Sequence, residues 1–356
     1  MMNYSRLWRL EVGSRELTGV IPQALGRLLQ LRILILSSSS FITGRIAIFG
    51  ALSNCTKLEE LDLSDNYLTG TLPPAIGQLS QTLTFFNVEK NAINGPIPQA
   101  IGNLSMLTIL YMGRNSLVGT IPYSITNLLT LQALDLSGNR LQGNIPREFQ
   151  RMNQSLTYLY LSANKLSASI PEIISALKNL RELNLSMNRF EGGIPPESGE
   201  CKYLELLDLS QNNVSGVIPS EVANLHTSFV LSANALTGSV PPEVGGMQMA
   251  QLIHLSNNKL SGDVPRRMTE WADVLYLNLS FNRLTGFVPA SIDPSTNVRY
   301  AVPQSLFQSS HRLCSCIDRG ETVTRSGHRY VSQQYNRACS RFHIQTRNAL
   351  DLEFLL

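Results

Sequence analysis

The side chains of this sequence that could do chemistry fall into two groups, and neither has the spacing that catalysis needs. Toward the C-terminal end, His311, His328 and His343 lie among Cys314, Cys316 and Cys339, but no pair has the ligand spacing of a zinc finger, and an odd number of cysteines leaves one thiol over. No Ser/His/Asp set or metal-ligand spacing appears within the first 290 residues, and no glycine-rich phosphate loop, His-Arg-Asp or Asp-Phe-Gly occurs anywhere. The expectation is therefore no catalytic residue, no metal and no cofactor. The second group has the chemistry of recognition: Phe85, Glu89 and Lys90, then Tyr111 and Arg114, then Tyr158 and Tyr160 supply aromatic rings and both signs of charge. Exposed Tyr and Arg are the residue types that anchor protein interfaces. The competing reading is that such aromatics pack across neighbouring strands and only stabilise a sheet. His254, Tyr276 and Phe281 form a smaller set open to the same two readings.

What would hold these side chains in place is a repeat. "LDLSGNRLQGNIP", Leu134 to Pro146, is written again around Asn66, Asn91, Asn115, Asn164, Asn188, Asn212, Asn234, Asn258 and Asn282, at intervals of 22 to 25 residues. Two upstream copies carry Arg15 and Ser39 at the Asn position, which makes twelve repeats from Leu7 to about Pro289. In each, apolar residues alternate with polar ones over a few positions, the pattern of a short half-buried strand. One such strand cannot bury its apolar side alone. Stacked in parallel, Leu134 and Leu136 would pack on Leu159 and Leu161 of the next coil and on Leu110 and Met112 of the previous one.

The chain must then turn after every strand, burying backbone groups that have no partner in the sheet. A carboxamide carries a donor and an acceptor, so an inward-pointing Asn can serve its own turn and its neighbour's, in a column along the stack. Gly143 and its equivalents suit a tight bend or a positive φ, and Pro146 suits an extended segment. Ala168 replaces that glycine in the seventh copy, where only local adjustment is expected.

The second half of the motif is the most specific part: "LTGTLP", "INGPIP", "LVGTIP", "LQGNIP", "FEGGIP", "VSGVIP", "LTGSVP", "LSGDVP" and "LTGFVP". In this wording the chain resembles the plant-type leucine-rich repeat of receptor-like kinase and receptor-like protein ectodomains, over about four fifths of its length. The resemblance implies an α/β repeat fold: a leucine-rich-repeat solenoid of about twelve coils, with a concave parallel β-sheet, a second short strand per coil and an irregular C-terminal tail. It further implies a non-catalytic module that binds a peptide or protein ligand, or another repeat ectodomain, on its concave face at or outside the plasma membrane. The alternative within the same resemblance is a secreted inhibitor of a cell-wall-degrading enzyme, for which a signal peptide and capping disulfides should exist.

Charge and composition agree with a binding module. Residues 1–290 contain 21 Lys+Arg and 21 Asp+Glu, so the net charge of +3 arises in the last 66 residues, and nothing points to nucleic acid. No apolar run of 18 or more residues is present to span a membrane, and "MMNYSRLWRL" lacks the features of a signal peptide. The domain boundary is expected near residue 290, with 1–290 as the solenoid. Residues 291–356, with eight Arg, no Lys and many Ser, Gln and Thr, are expected to be a basic, disordered tail. A capping disulfide among the three tail cysteines remains the alternative there. With no cap before it, the first coil would expose Leu7, Leu10 and Val12; together with a tail that looks like neither the stalk nor the membrane span the resemblance implies, this suggests a truncated member of the family or an incomplete gene model. Cys55 and Cys201 share one slot six coils apart, too far to pair, and read as small buried apolar side chains. Of the seven Asn-x-Ser/Thr sequons, Asn54, Asn103, Asn153 and Asn213 are the glycosylation candidates. Asn3, Asn184 and Asn278 complete the set, and a glycan on Asn184 or Asn278 would block the concave face.

Overall fold

The computed structural model describes residues 6–13, 18–43, 48–225, 228–247, 250–270, 276–286 and 299–301. The tail beyond residue 301, with its three cysteines and its expected disorder, lies outside the described residues, as do Arg15 and Asn3.

The alternating motif folds as it reads. Three-residue strands from successive coils, Arg9–Glu11 through Tyr276–Asn278, pair in parallel in chain order. A thirteenth strand, Arg299–Ala301, pairs with Tyr276–Asn278 and adds one to the twelve counted from the motif. Leu110, Leu134, Leu159 and Leu183 are in direct register and at most 1% exposed, one file of the core. Met112, Leu136, Leu161 and Leu185 form the next file, all at 0%. Each such side chain contributes roughly 1.5–3 kcal/mol on burial, and only because a neighbouring coil covers it. Leu7, Leu10 and Val12 are accordingly half-buried, while Leu31, Leu34 and Leu36 of the second coil are buried.

The Gly-x-Ile-Pro half builds a second parallel sheet of ten strands, from Thr18–Gly19 to Ala235–Thr237, and a separate pair, Ser261–Asp263 with Arg283–Thr285. The proline that follows enters a single 3-10 turn, as Pro98 (φ −71) does before Gln99–Asn103. Among the described residues one true α-helix occurs, Ile48–Leu52. Neighbouring 3-10 turns stack closely: a Cβ placed on Gly102 would stand 2.2 Å from the carbonyl oxygen of Ser124.

The asparagine column is present and doubly bonded. Asn139 Nδ2 donates to the carbonyls of Leu136 (3.0 Å) and Ser137 (3.2 Å) in its own turn and of Met112 (3.1 Å) one coil back. Its Oδ1 accepts the backbone N–H of Leu117, also one coil back, at 2.9 Å. The same pattern recurs at Asn91, Asn164, Asn188, Asn212, Asn234, Asn258 and Asn282. Ser39, at the Asn position of the second coil, is buried, and its hydroxyl donates to Ser37 O at 3.5 Å.

Two residues per coil sit at positive φ. One is the motif glycine, for example Gly143 at φ 83, and Ala168 adopts the same region at φ 72. The expected local adjustment does not include leaving that conformation. The other is the residue before the column Asn, at φ 51 to 61 in eleven coils, and only Gly138 of these is a glycine. Cys55 and Cys201 are buried and unpaired, each thiol facing a carbonyl of the preceding coil, Leu25 O at 3.6 Å and Ile174 O at 3.5 Å. Burial pushes both thiols up, Cys201 to about 11, so neither is a ready nucleophile.

Candidate functional site

The parallel register lays two rows of side chains along the concave sheet. The first runs Glu60, Phe85, Ile109, Ala133, Tyr158, Glu182, and the second runs Asp62, Asn87, Tyr111, Asp135, Tyr160, Asn184. Phe85 and Tyr158 therefore lie in one row, Tyr111 and Tyr160 in the other. Glu89, Lys90 and Arg114 are not on strands. They sit in the turns that follow, Lys90 and Arg114 at the left-handed position with φ 53 and 51.

Contacts divide these residues into two clusters. Phe85 and Tyr111 meet edge to face diagonally, with centroids 6.1 Å apart, and Arg114 Nε lies 3.8 Å from Glu89 on the rim beside them. Tyr158 and Tyr160 stack at 6.4 Å, and the Tyr160 hydroxyl donates to Glu182 at 2.7 Å. One coil, with Ala133 and Asp135, separates the clusters. All four rings are half-buried, so each both braces the sheet and offers a face to solvent.

Apart from Glu89, the carboxylates of this face were not singled out from the sequence. Asp62, Asp135 and Asp208, like Asn87, Asn184 and Asn278, accept the backbone N–H two residues ahead, closing the turn at the strand's end. Asp135 has room because the preceding coil places Gly113 opposite, where a Cβ would stand 2.9 Å from Oδ1. Burial raises Glu89, Asp135 and Glu182 above the ordinary carboxylate range, and Tyr111 is pushed to about 12 by burial and then by Asp135 and Glu89. The alternating motif marks these positions, but only the register shows which of them adjoin.

His254 and Tyr276 also meet, edge to face at 5.6 Å, while Phe281 stands apart on the rim and is 76% exposed. His254 Nε2 is 2.8 Å from Ser256 Oγ and 3.2 Å from Asn278 Nδ2, which also donates to the Tyr276 hydroxyl at 3.1 Å. Burial holds this histidine down at about 4, so it is neutral at ordinary pH. Of the sequons, Asn54, Asn103 and Asn213 are exposed, and Asn153 is half-buried. Asn278 is committed to the His254 network, and Asn184 Oδ1 holds the Ser186 hydroxyl at 2.7 Å. No group of three or more His, Cys, Asp or Glu among the described residues could hold a metal ion, and no helix among them is long and apolar enough to cross a membrane.

Family models described as "Leucine rich repeat" match residues 130–190 and residues 57–79, 106–128, 203–225 and 274–294. The chain carries leucine-rich repeats like those of plant receptor proteins. Its repeats are similar to those of the rice receptor kinase-like protein Xa21, at 38% identity over 95 residues, 26% of this chain and 9% of that protein. They are also similar to the Arabidopsis thaliana receptor-like serine/threonine-protein kinase EFR, at 47% over 58 residues, 16% of this chain and 6% of that protein. Among solved structures, the leucine-rich-repeat chain is similar to PEPR1 in the PEPR1-AtPEP1 crystal structure, with TM-score 0.70, 31% identity, and coverage of 80% of this chain and 43% of that one. It is similar to a TDR receptor with TM-score 0.73 and 29% identity, covering 84% of this chain and 56% of that one. The Arabidopsis HAESA ectodomain, solved with an IDA peptide hormone, gives 0.60 and 26%, covering 80% of this chain and 56% of that one. The chain thus spans about half the length of these ectodomains, and the curated receptors are matched over less than a tenth of theirs.

Proposed function

We propose that this leucine-rich-repeat chain is a non-catalytic recognition module outside the cell that binds a peptide or protein ligand across coils four to seven of its concave face. The observation that carries this reading is the pair of aromatic clusters, Phe85–Tyr111 and Tyr158–Tyr160, half-buried on an otherwise mostly small and polar sheet with Arg114, Glu89 and Lys90 on the adjoining rim. Rings held by their neighbours lose little freedom on binding, which suits them as anchors. The similarity to ectodomains solved with peptide hormones, including HAESA with IDA and the co-receptor SERK1, supports a peptide and a second ectodomain as the partner classes.

The test is selection of a displayed random-peptide library against the full chain, followed by affinity and melting measurements on Phe85→Ala and Tyr158→Ala. Loss of an anchor should weaken the selected peptides by about thirtyfold, the equivalent of 2 kcal/mol. Unchanged affinity with a lowered melting midpoint would assign the rings to sheet stabilisation alone.

A further inference from the structure

The charges of the candidate face are not balanced as those of the whole solenoid are. From the third to the eighth coil the two concave rows and their turns carry Glu60, Asp62, Asp65, Glu89, Asp135 and Glu182, against Lys90 and Arg114. Residues 1–290 as a whole are neutral, so this sheet face is a negative strip offset by a net positive remainder. Arg114 is already engaged at 3.8 Å from Glu89, and the flanking pairs Arg32 with Glu59 and Arg181 with Glu205 neutralise themselves. Arg9, whose charge acts on Glu60, is itself bonded to Glu11 at 2.7 Å. Carboxylates along this face repel one another with their water partly removed: Glu89 feels both Asp135 and Asp62.

The same stretch holds the four half-buried rings. Tyr160 is hydrogen-bonded to Glu182 at 2.7 Å and stacked on Tyr158, so ring faces and carboxylate lie together at the sheet's surface. Tyr111, edge to face with Phe85, lies one strand from Asp135 in the same row. A carboxylate beside an aromatic face is the combination that holds an ammonium or guanidinium, the first by a charge-assisted hydrogen bond and the second by its quadrupole.

We propose that the ligand of this face is a peptide whose Lys or Arg side chains dock between the aromatic rings and the carboxylates of coils three to eight. The proposal rests on the recognition-module reading above and adds the chemistry of the partner. Strands about 4.8 Å apart would let an extended cationic peptide crossing the coils place alternate side chains, roughly 7 Å apart, near every first or second carboxylate. Neutralising the strip is what sets such a ligand apart from an acidic or purely apolar one.

The peptides selected above are sequenced and their affinities measured at two salt concentrations on the full chain and on the double variant Asp135→Asn, Glu182→Gln. Both replacements keep a side-chain oxygen to accept the bonds from Ser137 N–H and Tyr160 hydroxyl. Selected peptides rich in Lys and Arg, weakened by at least about tenfold in the double variant and weakened by salt, are the expected result. Peptides without that enrichment, lost on Tyr158→Ala but indifferent to the double variant, would overturn the charge assignment and leave the recognition reading standing. No selection, or peptides indifferent to every concave substitution, would overturn both. An acidic-peptide counterpart that binds as well as the selected cationic one would also overturn the charge assignment. Circular dichroism melts of the double variant guard against reading an unfolded chain as lost binding.

Discussion

Replacing Asn139 by Ala tests the column that ties each coil to the one before it. A simple count of bonds would remove four and give a large loss, but the acceptors are shared. Leu136 O also takes a bond from Asn164 Nδ2 at 2.9 Å, Ser137 O takes one from Arg114 N at 2.7 Å, and Met112 O takes one from Asn115 Nδ2 at 3.2 Å. What Asn139 alone satisfies is the buried N–H of Leu117, at 2.9 Å. The expected loss is therefore that of one orphaned buried donor plus some weakened acceptors, about 1–3 kcal/mol, and not four times a bond's worth. Asn139→Asp should cost more, because it sets an acceptor against three carbonyl oxygens. Urea unfolding followed by circular dichroism gives both values, with Ser39→Ala as the comparison, since that side chain stands in the column without an amide's reach. Amide exchange at Leu117 gives the local one. A loss near zero for Asn139→Ala with Leu117 still protected would refute the assignment. A loss equal to that of Ser39→Ala would refute it too.

Ala168→Gly should stabilise the chain by about 1 kcal/mol in the same melts, because it relieves a left-handed alanine at φ 72. Asp135→Asn should raise the thermal midpoint at pH 7 and change it little near pH 3. Burial raises this carboxyl in the folded state, so stability falls as pH rises from its ordinary value of 3.8 through the higher folded one, and the amide removes that fall. Asn87, Asn184 and Asn278 already fill the equivalent position, so the turn is kept. Passed through a plant secretory pathway behind a signal sequence, the chain should carry glycans at Asn54, Asn103, Asn153 and Asn213 and none at Asn278, as read by mass spectrometry of its glycopeptides. A chain stopped after Pro303, the end of its first compact unit, should melt with the midpoint of the full sequence in differential scanning calorimetry.

The repeat, the strand register and the asparagine column were all legible in the sequence, because each rests on one residue type at a fixed beat: Leu134 for the core, Asn139 for the turn. What stayed hidden depends on neighbours that lie some 24 residues away. The Tyr160–Glu182 bond and the Phe85–Tyr111 contact exist only across adjacent coils, each running diagonally from one row to the other. The turn-closing role of Asp135 read as a small polar filler, since its partner is a backbone N–H and not a side chain. The thirteenth strand, Arg299–Ala301, has no motif to announce it. The left-handed residue before each column Asn gave no sign at all, as glycine occupies it only at Gly138.

That last position has a consequence for how such a chain can change. Ser38, Asp65, Lys90, Arg114, Ala163, Met187, Gln211, Ala233, Asn257 and Phe281 all accept the strained backbone, and none of them is β-branched. A Val, Ile or Thr there would crowd its own backbone, whereas unbranched side chains of any charge, length or polarity are admitted at similar cost. Each coil thus carries one rim site whose backbone is fixed by the column beside it and whose side chain is almost unconstrained. Single-nucleotide changes could rewrite the edge of the concave face coil by coil, altering partner preference while the fold stays as it is.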